Sequence, residues 1–279
     1  MKILLTGKPG VGKSTILQKV KHGLEKGFTG IIVREIRENG HRVGFESVNP
    51  KGERRIFSHA FLFKSEFVVG KRFFVDIEAI DSFVVPEIKR GLNDPDALLF
   101  IDEIGRMQAF SENFLSTIDE ALNSDADILG TIVFDPEPWS LKFKEHPQVI
   151  LVTVTQQNRD DLPDALLTIF NNTHHLKNLN KRQRSLVLDL TRSYFAEAQL
   201  VQVKKLFNNA LVYLDNHKIA PKSGNLYTVM GNTNEHIVKI EGNNTSCDCD
   251  LFNGRGQFKT TQGECSHIQT VRLFRLGNN

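Results

Sequence analysis

Three stretches of this sequence combine residue types and spacings that can do chemistry. The first is Gly7-Lys8-Pro9-Gly10-Val11-Gly12-Lys13-Ser14-Thr15. It fits the phosphate-loop pattern G-x-x-x-x-G-K-[ST] in full. Glycines let the backbone curl, so that successive N–H groups point inward at phosphate oxygens. A helix starting near Ser14 adds the positive end of its dipole. Lys13 brings a full charge to the β- and γ-phosphates of a nucleoside triphosphate, and the Ser14 hydroxyl is placed to ligate Mg²⁺. The second stretch is Leu98-Leu99-Phe100-Ile101-Asp102-Glu103, two carboxylates closing an apolar run. In open parallel sheets, ligands bind at the carboxyl ends of strands. Asp102 would hold Mg²⁺ through water, and Glu103 would polarise the water that attacks the γ-phosphate in line. The plain alternative is an acidic pair capping a strand exit.

The third stretch holds all three cysteines: Cys247-x-Cys249, fifteen residues, then Cys265-x-His267. An odd number packed so tightly reads poorly as a disulfide set. Three thiolates and one imidazole are the ligands that a closed, structural Zn²⁺ site needs. Three buried free thiols beside a surface histidine are the alternative.

The elements around these stretches must hold them in place. Residues 2–6 form a short apolar strand before the glycine-rich loop, and a helical stretch runs from Ser14 to about Lys26. Asn39-Gly40, the dipeptide favoured in two-residue hairpins, separates strands at 31–36 and 43–48, and a third strand is expected near 54–57. Helical spacing returns at 77–88. The run 97–101 lacks polar alternation, as expected of a strand buried on both faces of a parallel sheet. A helix over 111–122, strands over 128–134 and 149–154, and a helix over 161–170 follow. This alternation predicts a largely parallel central α/β sheet with an inserted β-hairpin. The pattern breaks at the Asn- and His-rich segment 171–180. Residues 181–216 read as helical and basic, and short strands are expected at 226–230 and 236–240 before the cysteines.

The chain has 279 residues and a net charge of +2, unevenly placed. Residues 175–279 hold 14 Lys+Arg against 8 Asp+Glu, whereas residues 1–174 hold 21 against 25. A basic C-terminal part suits a polyanionic partner. No apolar run approaches the ~18 residues of a membrane span, and no signal peptide is visible. A cytoplasmic protein with no membrane partner is expected.

The first 170 residues resemble the P-loop nucleoside-triphosphatases typified by the cancer-related nucleoside-triphosphatase and its thermophilic microbial relatives. The likeness rests on the loop at 7–15, the hairpin Arg37-Glu38-Asn39-Gly40-His41-Arg42-Val43-Gly44-Phe45, and Val69-Gly70-Lys71 with Val75-Asp76. It continues through Ile101-Asp102-Glu103-Ile104-Gly105-Arg106-Met107, Phe114, Leu129-Gly130-Thr131-Ile132 and Val154-Thr155-x-x-Asn158-Arg159. The resemblance implies hydrolysis of ATP, GTP and other nucleoside triphosphates with Mg²⁺. Under it, Gly7 to Thr15 bind the nucleotide, Lys13 and Glu103 are catalytic, and Ser14 and Asp102 hold the metal. Arg37 and Arg42 fall on the family's hairpin arginines and become candidates to stabilise charge on the phosphate oxygens. The sequence departs from the family at Ile31 and Val33, usually Phe and Thr, and at Gln108, usually Glu. The surroundings of the cysteines, about residues 205–275, resemble the SWIM zinc finger, an α+β module associated with DNA or protein binding. Lys204, Lys205, Arg255, Lys259, Arg272 and Arg275 are candidate phosphate contacts there, or solubility charges. The expected organisation is a nucleoside-triphosphatase domain over 1–172, a helical linker over 173–222 and a zinc-finger domain over 223–279. The function expected is triphosphate hydrolysis with docking on nucleic acid or protein. The alternatives are a nucleotide- or nucleoside-kinase-like phosphotransferase and a nucleotide-dependent DNA-binding switch.

Overall fold

The computed structural model describes residues 1–242, 244–249 and 265–278. The chain divides into two compact units, Met1–Pro163 and Asp164–Asn279. The first begins with β1 (Lys2–Thr6) and α1 (Lys13–Gly23), followed by β2 (Phe28–Glu38), β3 (His41–Val48), β4 (Arg54–His59), β5 (Val68–Val69) and β6 (Phe73–Val75). Helices α2 (Ile77–Ala79) and α3 (Val85–Leu92) precede β7 (Leu98–Ile104). Then come α4 (Glu112–Asn123), β8 (Ile128–Ile132), α5 (Pro138–Lys144) and β9 (Val149–Thr153), and the chain leaves through α6 (Leu162–Asn171).

One nine-stranded sheet runs through this unit in the order β5-β6-β4-β3-β2-β7-β8-β1-β9. The strands β2, β7, β8, β1 and β9 are mutually parallel. Every residue of β1 and β8 is buried, which is why these strands read as unbroken apolar runs. Their side chains pack with Ile80, Val84, Ile88, Phe114 and Ile118 in one core.

The hairpin is not a separate insertion. Residues 28–32 of β2 pair in parallel with β7, and from Ile32 onward the same strand pairs antiparallel with β3. The remaining strands then extend the sheet antiparallel to its edge. The turn is Asn39 (φ 49) and Gly40 (φ 80), both left-handed, as a type I′ hairpin requires. The start of β2 is hidden in the sequence by Gly30, a poor strand former. Gly30 has φ +90, and a Cβ there would lie 2.1 Å from the Phe100 carbonyl oxygen.

The helix expected over 77–88 is broken by a wider turn, Ile80–Val84, closed by a bond from Val85 N–H to the Ile80 carbonyl. Pro86 lacks the N–H for a regular turn and its ring would clash with the carbonyl four residues back, so local widening lets the chain stay helical.

In the second unit, α7 (Lys181–Ala196) is capped reciprocally by Asn180 and Gln183. It is followed by α8 (Leu200–Lys205) and α9 (Leu211–Asp215), joined by a widened turn at 206–210. The helical stretch read over 181–216 is therefore segmented, with Ala198 in the left-handed region (φ 56) between α7 and α8. Strands β10 (Ile219–Pro221), β11 (Leu226–Met230), β12 (Glu235–Glu241) and β13 (Asn244–Cys247) form an antiparallel sheet in sequence order. Helix α10 (Ser266–Gly277) contributes Ile268 and Val271 to a core shared with Tyr213, Val229, Val238 and the three cysteines.

Gly30→Ala is expected to destabilise the first unit by about 3 kcal/mol, since it combines left-handed strain with a backbone clash. Thermal unfolding should show a midpoint lower by roughly 5–10 °C; an unchanged midpoint would contradict the close approach of β2 and β7.

Candidate nucleotide site and cysteine cluster

The phosphate loop follows β1 and ends in α1. Gly7, Gly10 and Gly12 take φ of 149, 76 and 113. At Gly7 a side chain is excluded twice over, because a Cβ would also lie 2.7 Å from the Val154 carbonyl oxygen. Gly12 stands at the helix N-cap, where its carbonyl accepts from Ile16 N–H (3.0 Å). The first turn of α1 carries no acidic residue, so the positive helix end faces the loop unopposed. Lys13 Nζ donates to the Gly7 carbonyl (2.8 Å). Ser14 and Thr15 lie on the exposed side of the first helical turn.

Asp102 and Glu103 lie near the end of β7, just before the buried Ile104, and the peptide between them is cis. Strand β8 lies between β7 and β1, and its Thr131 Oγ1 donates to Asp102 Oδ1 (2.6 Å). Burial pushes the Asp102 carboxyl up to about 7; the Thr131 hydrogen bond opposes this, the Glu103 charge adds to it, and the Lys13 ammonium opposes it. Glu103 is only partly buried, and its pKa is also raised by burial, against the charges of Lys13 and Arg42. The structure thus brings Lys13, Asp102, Glu103 and Arg42 into one electrostatic neighbourhood.

The two hairpin arginines separate. Arg42 pairs with Glu35 (2.5 Å) and its charge reaches Glu103. Arg37 is latched to Glu35 (2.6 Å) and to the turn carbonyl of Gly40 (3.1 Å), and is not among the groups acting on either carboxyl.

A cavity of about 480 Å³ opens against the phosphate loop, lined by Gly7 to Val11, Phe134, and Thr153 to Gln157 with Arg159. Asn158 shapes its rim: its Oδ1 accepts from Thr155 N–H (2.8 Å) and its Nδ2 donates to the Thr153 carbonyl (2.9 Å). The Arg159 stem lies 3.7 Å from where a Gly12 Cβ would be.

These features accompany a likeness to known proteins. Residues 2–167 match a family model described as NTPase. The chain belongs to that NTPase family. It is an enzyme of the nucleoside-triphosphate-hydrolysing class. The nucleoside-triphosphatase THEP1 of Thermotoga sp. (strain RQ2) is 32% identical over 169 residues, covering 61% of this chain and 95% of the relative. That of Methanocaldococcus jannaschii is 38% identical over 171 residues, covering 60% and 95%. The crystal structure of THEP1 from Aquifex aeolicus superposes with a TM-score of 0.55 at 30% identity, covering 61% of this chain and 99% of that one. The solution structure of a human cancer-related nucleoside triphosphatase gives 0.51 at 29% identity, covering 60% and 95%. Within this NTPase the parallel sheet carries the phosphate loop and the acidic pair at the same edge, as the sequence pattern predicts.

In the second unit, the ligand atoms of Cys247, Cys249, Cys265 and His267 lie within 4.8 Å of one another, and all four residues are buried. Cys247 Sγ is 3.7 Å from His267 Nδ1. The His267 ring lies between Tyr213 (5.7 Å, stacked) and His236 (4.2 Å). Hydrogen bonding from Cys249 and Cys265, together with burial, pushes the Cys247 thiol up. Cys265 is pushed up to about 12, with Cys249 and burial outweighing the lowering hydrogen bond to Cys247. Lys205 Nζ is buried without a hydrogen-bond partner, and burial lowers its pKa against the opposing influence of Cys265 and Cys249. Thiols that hold one another protonated form a donor set compatible with a metal ion, which would remove the penalty for the thiolates. Lys205, a candidate phosphate contact or solubility charge in the sequence, has its Nζ buried within the electrostatic range of Cys249 and Cys265. Lys204 pairs with Asp164 (3.4 Å). Arg255, Lys259 and the segment linking Cys249 to Cys265 lie outside the described residues.

The sequence offered Thr131 and Asn158 only as part of a family likeness and Lys205 only as a phosphate contact or solubility charge, without the surroundings that the fold gives them. Thr131 is legible only once β8 is known to lie beside β7, and Lys205 looks like any surface lysine of a basic helix.

The raised Asp102 pKa has a sign that can be checked. Between about pH 4 and 7 the folded, metal-free protein keeps a proton that the unfolded chain releases, so this carboxyl destabilises the fold increasingly as pH rises through that window. Asp102→Asn should therefore raise the melting temperature more at pH 8 than at pH 5. Equal shifts at both values would contradict it.

Proposed function

We propose that residues 1–172 hydrolyse nucleoside 5′-triphosphates, ATP and GTP among them, to nucleoside diphosphate and phosphate. The observation that carries this reading is the acidic pair at the end of β7 set within reach of the Lys13 charge. The backbone N–H groups along Gly7 to Thr15, other than the donorless Pro9, and the N-terminus of α1 cradle the phosphates. Lys13 neutralises the β- and γ-phosphate oxygens. The cavity beside Phe134, Gln156 and Gln157 gives room for the nucleoside. Glu103, raised by burial, takes the proton of the attacking water. Arg42 is better placed than Arg37 to balance charge around Glu103, and Arg37 holds the hairpin turn. Ser14 and Asp102 fit a magnesium ion as hydroxyl and carboxylate oxygen donors, with Thr131 fixing the carboxylate. Bound there, magnesium supplies charge neutralisation on the β,γ-oxygens.

For the C-terminal part we assign Zn²⁺ to Cys247, Cys249, Cys265 and His267, in a module of the SWIM type. A Cys₃His donor set favours zinc and leaves one net negative charge, which Lys205 balances. Residues 223–279 with the helical 173–222 then serve docking on nucleic acid or a protein, supported by the basic balance of the C-terminal part.

Phosphate release without any acceptor separates hydrolysis from phosphotransfer. Glu103→Gln is expected to lower kcat by roughly 10²–10⁴-fold with triphosphate binding retained; unchanged turnover would remove Glu103 from the chemistry. Metal analysis should find about one zinc per chain, lost in Cys247→Ser together with the fold of the C-terminal part, and no zinc in the wild type would sink the assignment. Affinity for single-stranded or duplex nucleic acid should fall steeply with salt, and salt-independent binding would count against phosphate contacts.

A further inference from the structure

Gln108 has no task in the hydrolysis scheme above. It is 2% exposed, and its Oε1 is buried without a hydrogen-bond partner. An orphaned buried carbonyl oxygen is costly, and a native site that keeps one invites an explanation. Gly105 supplies the geometry. A Cβ built on Gly105 would lie 2.5 Å from Glu103 Oε1 and 2.9 Å from Gln108 Oε1. Both oxygens therefore lie against the bare face of Gly105. The loop that sets them is well tethered: Val133 N–H donates to the Ile104 carbonyl (3.1 Å) and Ala109 N–H to the Gly105 carbonyl (3.0 Å). Arg106 is clamped to Asp135 and Glu137 (2.8 Å each).

Both oxygens are acceptors. Two acceptors crowded on one glycine face repel unless a donor lies between them. A molecule with two donor hydrogens and a free lone pair satisfies both at once. We propose that Glu103 and Gln108 together seat the attacking water over Gly105, each accepting one of its hydrogens. The oxygen lone pair is then left for the γ-phosphorus. In the step itself, the water oxygen bonds to that phosphorus while its bond to the β,γ-bridging oxygen breaks. The nucleoside diphosphate leaves with that electron pair, and the water proton facing Glu103 passes to its carboxylate and on to solvent. Gln108 accepts without taking a proton, so it orients the nucleophile. The bare face of Gly105 follows from the same requirement, because a methyl group there would occupy the seat. This inference rests on the hydrolase reading above.

The test compares the full-length wild type with Gln108→Met, Gln108→Glu and Gly105→Ala. It measures kcat for phosphate release and affinity for a non-hydrolysable triphosphate analogue. Gln108→Met and Gly105→Ala should each lower kcat roughly tenfold to a hundredfold while analogue affinity stays as in the wild type. Gln108→Glu, which keeps an acceptor oxygen, should retain most of the turnover. Wild-type kcat in Gln108→Met overturns the proposal. So does a Gln108→Glu protein as slow as Gln108→Met, since the amide would then act as a donor. Gly105→Ala leaves Gln108 in place and decides the matter should Gln108→Met melt early; wild-type kcat in Gly105→Ala overturns the seat as well. A wild type that releases no phosphate overturns the hydrolase reading, and this inference with it, whereas turnover that is indifferent to residues 105 and 108 overturns the seat alone.

Discussion

The first unit depends on keeping two adjacent carboxyls at the buried end of a central strand. Carboxylates lose much of their hydration there, and that loss is the chief cause that pushes Asp102 up to about 7. The surroundings answer with a hydroxyl from the next strand, an ammonium from the first turn of α1 and a guanidinium from the hairpin. Each comes from a different element, so the order of strands matters as much as the motifs. With β8 between β7 and β1, Thr131 stands beside Asp102. With β2 on the other side of β7, the hairpin that continues β2 brings Arg42 into range of Glu103.

The same economy explains where glycine is needed. Gly7 lets the phosphate loop turn against Val154, and Gly30 lets β2 lie against the Phe100 carbonyl. Both positions control the distance between elements, and the spacing of charges follows from them. A triphosphate bound at the loop would bring several negative charges beside Asp102 and Glu103, and a divalent cation with Lys13 is what makes that coexistence favourable.

Much of the first unit was legible in the sequence. The phosphate loop, the apolar run ending in Asp102-Glu103 and the Asn39-Gly40 turn rest on local chemistry, and local chemistry survives folding. The early start of β2 was not legible, because Gly30 lowers strand propensity for the sake of a close packing that only the partner strand reveals. The wide turn at 80–84 was likewise hidden, since Pro86 reads as a helix stop unless the chain is seen to widen around it. In the site, Lys13, Asp102 and Glu103 could be named from motifs. The roles of Thr131 and Gln108 depend on strand order and on one backbone face of Gly105, neither of which a linear pattern encodes. In the second unit, the spacing of Cys247, Cys249, Cys265 and His267 pointed to one cluster, and the four side chains do converge. The burial of Lys205 Nζ could not be read, because its neighbours in sequence are those of an ordinary basic helix.

The central claim is that one site at the carboxyl edge of the parallel sheet binds and hydrolyses a magnesium–triphosphate complex. A crystal structure of the Glu103→Gln protein with magnesium and ATP tests it most directly. The account predicts density for the triphosphate along Gly7 to Thr15, the metal between Ser14 and Asp102, and the base in the cavity beside Phe134. Nucleotide bound elsewhere, or phosphates at the loop with the metal away from Asp102, would contradict it.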